Sequence, residues 1–396
     1  MLQRRRRSAF SLIELLVVIA IMGGLVGLLL PAVQAARESA RRMQCASSLR
    51  QLALGILNHE SATRRLPAGY LCDVERSDRD ATTFDAPPGN GWGLQIAPFI
   101  EETAVGDAFI RNDDRSLGIM HPASRELVAR ELAVFLCPSS SGERAAFPVR
   151  TPSGGAHPSG LRLGRSHYVA NAGHTEPWGD PLPNWDTVAN GPLYRNSFLR
   201  ISQISDGMSQ TVFLGEHSSS LSEKSWAGVV PGGASHPTPI FASRVGTEPD
   251  AAATLVLVHS GPASSELDVI HPPNDPVAHV CQMYAEHPGG ANVSFGDGSV
   301  RFIADSINHD VWAAACSRNG GEVARVDRQS SRNRLAVGCH TPLSHASADA
   351  GGVSRLRLPP HAAGPLSKPR LLGGPTHGHQ HPQSRAAPHR RAADRQ

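Results

Sequence analysis

The chain has 396 residues, of which 40% are hydrophobic and 5% are aromatic, and it contains 38 Gly and 31 Pro. This length allows two or three domains or one elaborated domain, and a mean hydropathy of -0.24 excludes a protein with many membrane spans. The net charge of +3 is unevenly distributed: residues 8–324 hold 22 basic and 32 acidic side chains, and an acidic body argues against a nucleic-acid partner.

The N-terminal segment has the composition of a membrane-spanning helix. Four arginines, Arg4 to Arg7, precede an apolar stretch from Leu12 to Leu30 in which the only charged residue is Glu14. At ~1.5 Å per residue this stretch makes a helix of roughly 29 Å, which matches the hydrocarbon thickness of a bilayer. A carboxylate is costly in lipid and needs a partner, so Glu14 indicates a functional contact.

The residues Ala9-Phe10-Ser11-Leu12-Ile13-Glu14 resemble the leader of type IV prepilins and pseudopilins. The resemblance implies that a membrane prepilin peptidase cuts between Ala9 and Phe10 and methylates the new amine of Phe10. It also implies that Glu14 pairs with the terminal amine of a neighbouring subunit. Ala9 stands where that family usually has Gly.

The distribution of arginines predicts the orientation in the membrane. The dense cluster before the apolar stretch outweighs Arg37, Arg41 and Arg42, which follow it together with Glu38. The N-terminus is therefore expected in the cytoplasm, with a single pass through the inner membrane and the body in the periplasm or at the cell surface.

The first helix is expected to continue well beyond the membrane. Apolar residues recur at spacings of three and four, which predicts one long helix from about Ser11 to His59 with a face packed on the chain's own sheet, and on neighbouring subunits in addition. The residues of this stripe are Val33, Ala36, Ala40, Met43, Leu49, Leu52 and Ile56.

The rest of the body is predicted to form short strands between turns. The pattern predicts a helix-like region at 115–135, a strand at 166–173, two strands within 197–216 and long surface loops at 217–280. An Asp-Gly turn at Asp297-Gly298, flanked by alternating apolar residues, predicts a hairpin.

Nine residues separate His287 from Asp297-Gly298. A catalytic interpretation pairs His287 with Asp297 as base and orienter, or as metal ligands. The structural interpretation, which we favour, gives Asp297 a turn-forming role, Gly298 a positive φ and His287 a cap or loop hydrogen bond.

This segment is similar to the H-X9-DG element of a large bacterial family of unknown function whose members also begin with a prepilin-type leader. Further matching stretches extend over most of 8–324, among them Arg41-Arg42-Met43-Gln44-Cys45, Phe135-Leu136-Cys137-Pro138-Ser139 and Asp206-Gly207-Met208-Ser209. The resemblance implies a pseudopilin-like protein and supplies no enzymatic activity.

Six cysteines in an oxidising compartment allow fifteen complete disulfide pairings. Cys45 and Cys137 both fall within the matching stretches, which makes them the preferred pair.

Residues 325–396 differ from the body, since they carry seven His, twelve basic residues and no Phe, Trp or Tyr. Such a segment cannot bury enough apolar surface to offset its ordering entropy, and we predict a disordered tail. His377, His379 and His381 within it form an adventitious metal site at most.

Together these observations predict an α+β fold: a long N-terminal helix packed on an antiparallel sheet, loop-rich, with a disordered tail. The expected organisation is a leader (1–9), a transmembrane half-helix (10–31), a pilin-like periplasmic domain (32–324) and the tail (325–396).

The predicted function is that of a non-enzymatic pseudopilin-like subunit of a type II secretion or type IV pilus-like assembly. Its expected partners are prepilin peptidase, other pseudopilins and membrane lipid, and we expect no nucleic acid, cofactor or metal. One alternative is a surface-anchored module that binds a glycan or protein through 217–280. The other is a secreted hydrolase that acts through His287 and Asp297.

Overall fold

The computed structural model describes residues 12–110, 118–179, 181–241, 248–261, 270–275 and 279–321. Its helices are α1 (Leu12–Thr63), α2 (Trp92–Ile96), α3 (Thr103–Ile110), α4 (Arg125–Val128) and α5 (His309–Cys316). Its strands are β1 (Tyr70–Cys72), β2 (Pro88–Gly91), β3 (Phe147–Pro148), β4 (Arg162–Leu163), β5 (Tyr168–Asn171), β6 (Val212–Glu216), β7 (Ala234–Ser235), β8 (Asp250–Ala251), β9 (Leu257–Val258), β10 (Gly290–Phe295) and β11 (Val300–Ala304). The expected cleavage site at Ala9 and Phe10 and the expected tail at 325–396 lie outside the described residues.

Helix α1 is continuous over 52 residues and runs through Pro31, which gives it a length of about 78 Å. Its N-terminal part is long and apolar enough to cross a membrane, and no residue of its most apolar 18-residue window is buried. Burial on the body begins at Cys45 and continues at Leu49, Leu52 and Ile56. The expectation that the apolar stripe packs on the chain's own sheet is therefore wrong upstream of Cys45, where Val33 and Met43 are exposed.

A five-stranded sheet with the strand order β11-β10-β6-β5-β9 forms the centre of the body. The first four strands pair antiparallel, whereas β9 pairs parallel to β5 at one edge. The α+β class, with its long N-terminal helix and antiparallel sheet, is confirmed. The predicted hairpin is also confirmed, since β10 and β11 pair from Gly290 opposite Ala304 to Ser294 opposite Val300.

The outer half of α1 packs against β10, β11 and β6 on one side and against residues 92–99 on another. Gly55 allows the close approach at the second contact, because a Cβ there would lie 3.3 Å from Cδ1 of Ile96 and 2.5 Å from Cγ2 of the adjoining Ile100. Each buried leucine on this face stabilises the contact by about 1.5–3 kcal/mol. The helix is thus part of the core from Cys45 onward.

The core beneath α2 is aromatic. The ring of Phe135 lies 5.7 Å from that of Trp92 and 6.0 Å from that of Trp226, measured between centroids. Both indoles are satisfied, because Trp92 donates to the carbonyl of Val256 and Trp226 donates to that of Arg130. This cluster fixes the segment that leads into Cys137.

Three local predictions differ from the structure. Within 197–216 only β6 is a strand, and Asp206 instead accepts hydrogen bonds from the backbone amides of Gly320 and Gly321. In the described part of 115–135 the helical content is the single turn α4 with short 3-10 turns at Pro122–Ser124 and Ala133–Phe135. The described part of 217–280 is not a set of surface loops, because Lys224 and Trp226 are fully buried and β9 belongs to the central sheet.

Candidate functional site

The candidate functional site lies where α1 first contacts the body. Glu38 and Cys45 are seven residues apart, so they lie two helical turns apart on one face of α1. That face continues into the buried residues Leu49 and Leu52. The sequence places one carboxylate and one thiol-bearing residue on the side of the helix that faces the sheet.

A disulfide joins Cys45 of α1 to Cys137, 92 residues further along the chain. The backbone N–H of Cys137 donates to Nδ1 of His167 at 3.0 Å, and Nε2 of His167 lies 3.1 Å from Oγ of Ser219. Burial lowers the pKa of His167 to about 4. His167 is therefore neutral and can accept this hydrogen bond, which fixes the loop that carries Cys137.

His287 lies between two carboxylates that come from different parts of the chain. Its Nδ1–H donates to Oε1 of Glu38 at 2.7 Å, and its Nε2–H donates to Oε1 of Glu216 at 3.2 Å. The side chain of His287 is fully buried. Since Glu38 lies on α1 and Glu216 ends β6, one imidazole links the helix to the central sheet.

Glu216 is held in place by the strand next to it. Its Oε2 accepts the backbone N–H of Asn292 at 2.6 Å, and its Oε1 accepts the side-chain amide of the same residue at 3.0 Å. Glu38 is held by Arg41, whose Nε donates to Oε2 at 2.9 Å, and by Oγ of Ser139 at 3.3 Å. Two carboxylates, one imidazolium and one guanidinium thus balance their charges.

The surroundings shift the pKa values of both His287 and Glu38. Burial lowers the pKa of His287, but the hydrogen bonds and charges of Glu216 and Glu38 outweigh that effect, so its pKa is raised. Partial burial raises the pKa of Glu38, but the hydrogen bonds from His287 and Arg41 outweigh it, and the pKa is lowered. Both shifts favour the charged forms, imidazolium for His287 and carboxylate for Glu38.

The structure does not bring His287 and Asp297 together. They flank opposite ends of β10, whose six residues extend over about 20 Å. Asp297 accepts the backbone N–H of Ser299 at 2.9 Å, and Gly298 has a φ of +83°. Asp297 and Gly298 thus form the turn of the hairpin, while His287 bonds to carboxylates rather than capping a loop.

Glu14 lies in the first turn of α1, on its exposed part. It is therefore remote in sequence and along the helix from the network around His287. The sequence singled out Cys45, Cys137 and His287, which the structure brings into one cluster.

Sequence reasoning missed Glu38, Glu216 and Asn292 as members of the network. Glu216 had a recognisable signal, since it is the first acid after the apolar run Val212 to Leu214. It is buried in the structure, and a buried acid needs a partner. Glu38 had a weaker one, as the single acid between Arg37 and Arg41 on a helical face.

Two family models match the chain. A family model described as "Protein of unknown function (DUF1559)" matches residues 34–310, and a model described as "Prokaryotic N-terminal methylation motif" matches residues 4–30. The chain belongs to the DUF1559 family. All residues of the network fall within the matched range of this family, and no curated protein and no solved structure matches the chain.

The two matches define the class of protein. The methylation motif makes this DUF1559 chain a pilin-like protein whose signal is processed by a prepilin peptidase, as the leader predicts, and it implies assembly of the pilus type. Together with the apolar N-terminal helix it indicates anchoring by a single membrane pass.

Replacing Glu38 by Gln tests the link between helix and sheet. The variant removes the charge that faces His287, so the free energy of unfolding is expected to fall by about 1.5–3 kcal/mol, the range for hydrogen bonds to charged groups. Urea unfolding of the detergent-solubilised protein, followed by tryptophan fluorescence, measures it. Glu60→Gln, on the same helix but outside the network, is the control and should change stability by less than about 0.5 kcal/mol. Equal effects of the two variants would contradict the link.

The contribution of this link should depend on pH in both directions. Because the pKa of His287 is raised, the stability that its charge contributes is fully present below pH 6.5. It is lost as the pH rises through the pKa of His287 in the folded protein. Because the pKa of Glu38 is lowered, the stability that its charge contributes is fully present above pH 4.5. It is lost as the pH falls through the pKa of Glu38 in the folded protein. The stability difference between wild type and Glu38→Gln is therefore expected to be largest between pH 4.5 and 6.5. A difference that is constant from acid to alkaline buffer would refute this assignment of charges.

Proposed function

We propose that this chain is a non-enzymatic pseudopilin-like subunit of a type II secretion or type IV pilus-like assembly. It is anchored in the inner membrane with its N-terminus in the cytoplasm and its body in the periplasm or at the cell surface. Prepilin peptidase cleaves it between Ala9 and Phe10 and methylates Phe10. The mature chain then assembles with other pseudopilins through its first helix.

The exposed face of α1 supports this proposal most directly. Val33, Ala36, Ala40 and Met43 recur at helical spacing on the part of α1 that follows the expected membrane segment 10–31. The side chains of Val33 and Met43 are 46% and 65% exposed, so the body does not cover them. An anchor alone needs only about 20 apolar residues. Helices of neighbouring subunits would bury the additional face.

Glu14 supports the same conclusion. A carboxylate in a membrane helix costs about 2.5–3.5 kcal/mol at the helix centre and less near its ends. Glu14 lies near the N-terminal end, and a mere anchor would still be more stable with an apolar residue there. The terminal amine of Phe10 becomes available after cleavage and supplies an opposite charge. That amine compensates Glu14 when two subunits stack with an offset along the helix axis.

The anchored binding module has less support. It requires exposed loops within 217–280, whereas the described part of this region supplies the buried residues Lys224, Trp226 and Leu257 to the core. The hydrolase requires contact between His287 and Asp297, which β10 separates. Neither alternative accounts for the exposed apolar face of α1.

Replacing Glu14 by Leu is the test of the proposed function. Insertion, cleavage and folding should remain intact, because the substitution makes the helix more apolar, whereas assembly with other pseudopilins should fall about tenfold or more. Crosslinking and recovery in sheared filaments measure assembly, and the mass of the mature N-terminus reports cleavage. Leu15→Ala, at the next position of the helix, is the matched control and should assemble normally. Normal assembly of Glu14→Leu would make the anchored binding module the better interpretation.

A further inference from the structure

The disulfide and the link through His287 share one buried cluster. Cys45, Cys137, Glu216 and His287 are all buried, and one sulfur, nitrogen or oxygen atom of each lies within 4.8 Å of the others. Nε2 of His287 lies 3.8 Å from Sγ of Cys137. While the two cysteines are joined, their sulfurs cannot act as thiolates.

We propose that reduction of the Cys45–Cys137 bond converts this cluster into a zinc site with the ligands Cys45 Sγ, Cys137 Sγ, His287 Nε2 and Glu216 Oε1. The site departs from the sequence-based expectation that the chain holds no metal. It is independent of the proposed assembly function, since Glu14 and the exposed face of α1 take no part in it.

The distances fit tetrahedral zinc. With Zn–S near 2.3 Å and Zn–N and Zn–O near 2.0–2.2 Å, neighbouring ligand atoms are about 3.3–3.8 Å apart. The Nε2–Oε1 distance of 3.2 Å and the Sγ–Nε2 distance of 3.8 Å already approach this spacing. Tetrahedral zinc places its two sulfur ligands about 3.8 Å apart, a separation that only a broken S–S bond allows.

The groups behind the ligands have the arrangement that zinc sites use. A ligating histidine commonly donates its other ring N–H to a carboxylate, which fixes the tautomer and the ring orientation. Glu38 accepts the Nδ1–H of His287 at 2.7 Å and so directs Nε2 into the cluster. Asn292 holds both carboxylate oxygens of Glu216, its backbone N–H on Oε2 and its side-chain amide on Oε1. The second lone pair of Oε1 is directed at Nε2 of His287, on the side where the metal would bind.

The backbones of both cysteines are also fixed. The carbonyl of Cys45 accepts the hydroxyl of Tyr168 at 3.2 Å, and the amide of Cys137 donates to His167. A small cleft lined by Ser140, Ser218 and Glu286 reaches Cys137 and Glu216.

A phosphine can reduce the disulfide to the two thiols that the zinc site needs. The phosphine attacks one sulfur, the electron pair of the S–S bond leaves on the other, and water then delivers oxygen to phosphorus, which yields a phosphine oxide and two thiols. Binding of Zn²⁺ releases one proton from each thiol and the Nε2 proton of His287 to solvent. The metal thus replaces the proton that His287 and Glu216 share.

Cobalt(II) titration of the full-length protein in detergent tests the site. The protein is reduced with a phosphine, desalted under anaerobic conditions and titrated with Co²⁺, whose thiolate charge-transfer bands and tetrahedral visible bands report the ligands. We expect one equivalent of Co²⁺ with thiolate bands in the reduced protein, displacement by Zn²⁺, and no such bands in the oxidised protein. Bands that appear only as the protein refolds around the added ion support the site equally.

Two variants separate this site from other thiols and histidines of the chain. The double variant Cys45→Ser, Cys137→Ser keeps Cys72, Cys281, Cys316 and Cys339, and it should lose the thiolate bands. Glu38→Gln should keep the spectrum but weaken metal affinity by about 10- to 100-fold, as expected of a group behind a ligand. The proposal is wrong if reduced wild type shows no thiolate bands, whether or not it stays folded, or if the double variant shows them at full strength.

Discussion

The charge-balanced contact of His287 with Glu38 and Glu216 determines how the long helix is seated on the body. Two carboxylates directed at one buried point would repel each other, and the imidazolium between them removes that repulsion. The geometry leaves little freedom, because Glu216 is fixed by Asn292 and Glu38 by Arg41. The Cys45–Cys137 disulfide, two turns further along α1, covalently secures the same junction.

The H-X9-DG segment contacts α1 at both of its ends. His287 reaches Glu38, whereas a Cβ at Gly298 would lie 3.3 Å from Leu57, so the turn packs closely on the last part of the helix. Glu38 and Leu57 are about 29 Å apart along the helix axis, and the eleven steps from His287 to Gly298 extend to at most about 36–40 Å. The motif is thus long enough to reach both contacts on the helix. The body contacts α1 from Glu38 to Leu57 and leaves its apolar N-terminal part exposed.

The sequence predicted what depends on local pattern and composition. The length of α1 followed from its apolar spacing, and the hairpin at Asp297-Gly298 followed from turn chemistry flanked by alternating residues. The partners of His287 could not be predicted, because Glu38 and Glu216 lie 249 and 71 residues away and no local rule links them. The Gly, Pro and Ser content of 217–280 is typical of loops, yet in the described part of this range tertiary contacts hold Trp226 and β9 in the core. The stripe upstream of Cys45 was assigned to the sheet because amphipathic spacing does not say which surface covers it.

A double-mutant cycle on Glu38 and His287 tests the central claim most directly. The free energy of unfolding is measured by urea titration in detergent for wild type, Glu38→Gln, His287→Gln and the double variant, in a buffer between pH 4.5 and 6.5 where both groups carry charge. If the imidazolium links helix and sheet, the two substitutions are coupled by about 1–3 kcal/mol, because each removes the same contact. Effects that add to within about 0.5 kcal/mol would mean that the two residues stabilise the protein independently, and the link would not exist.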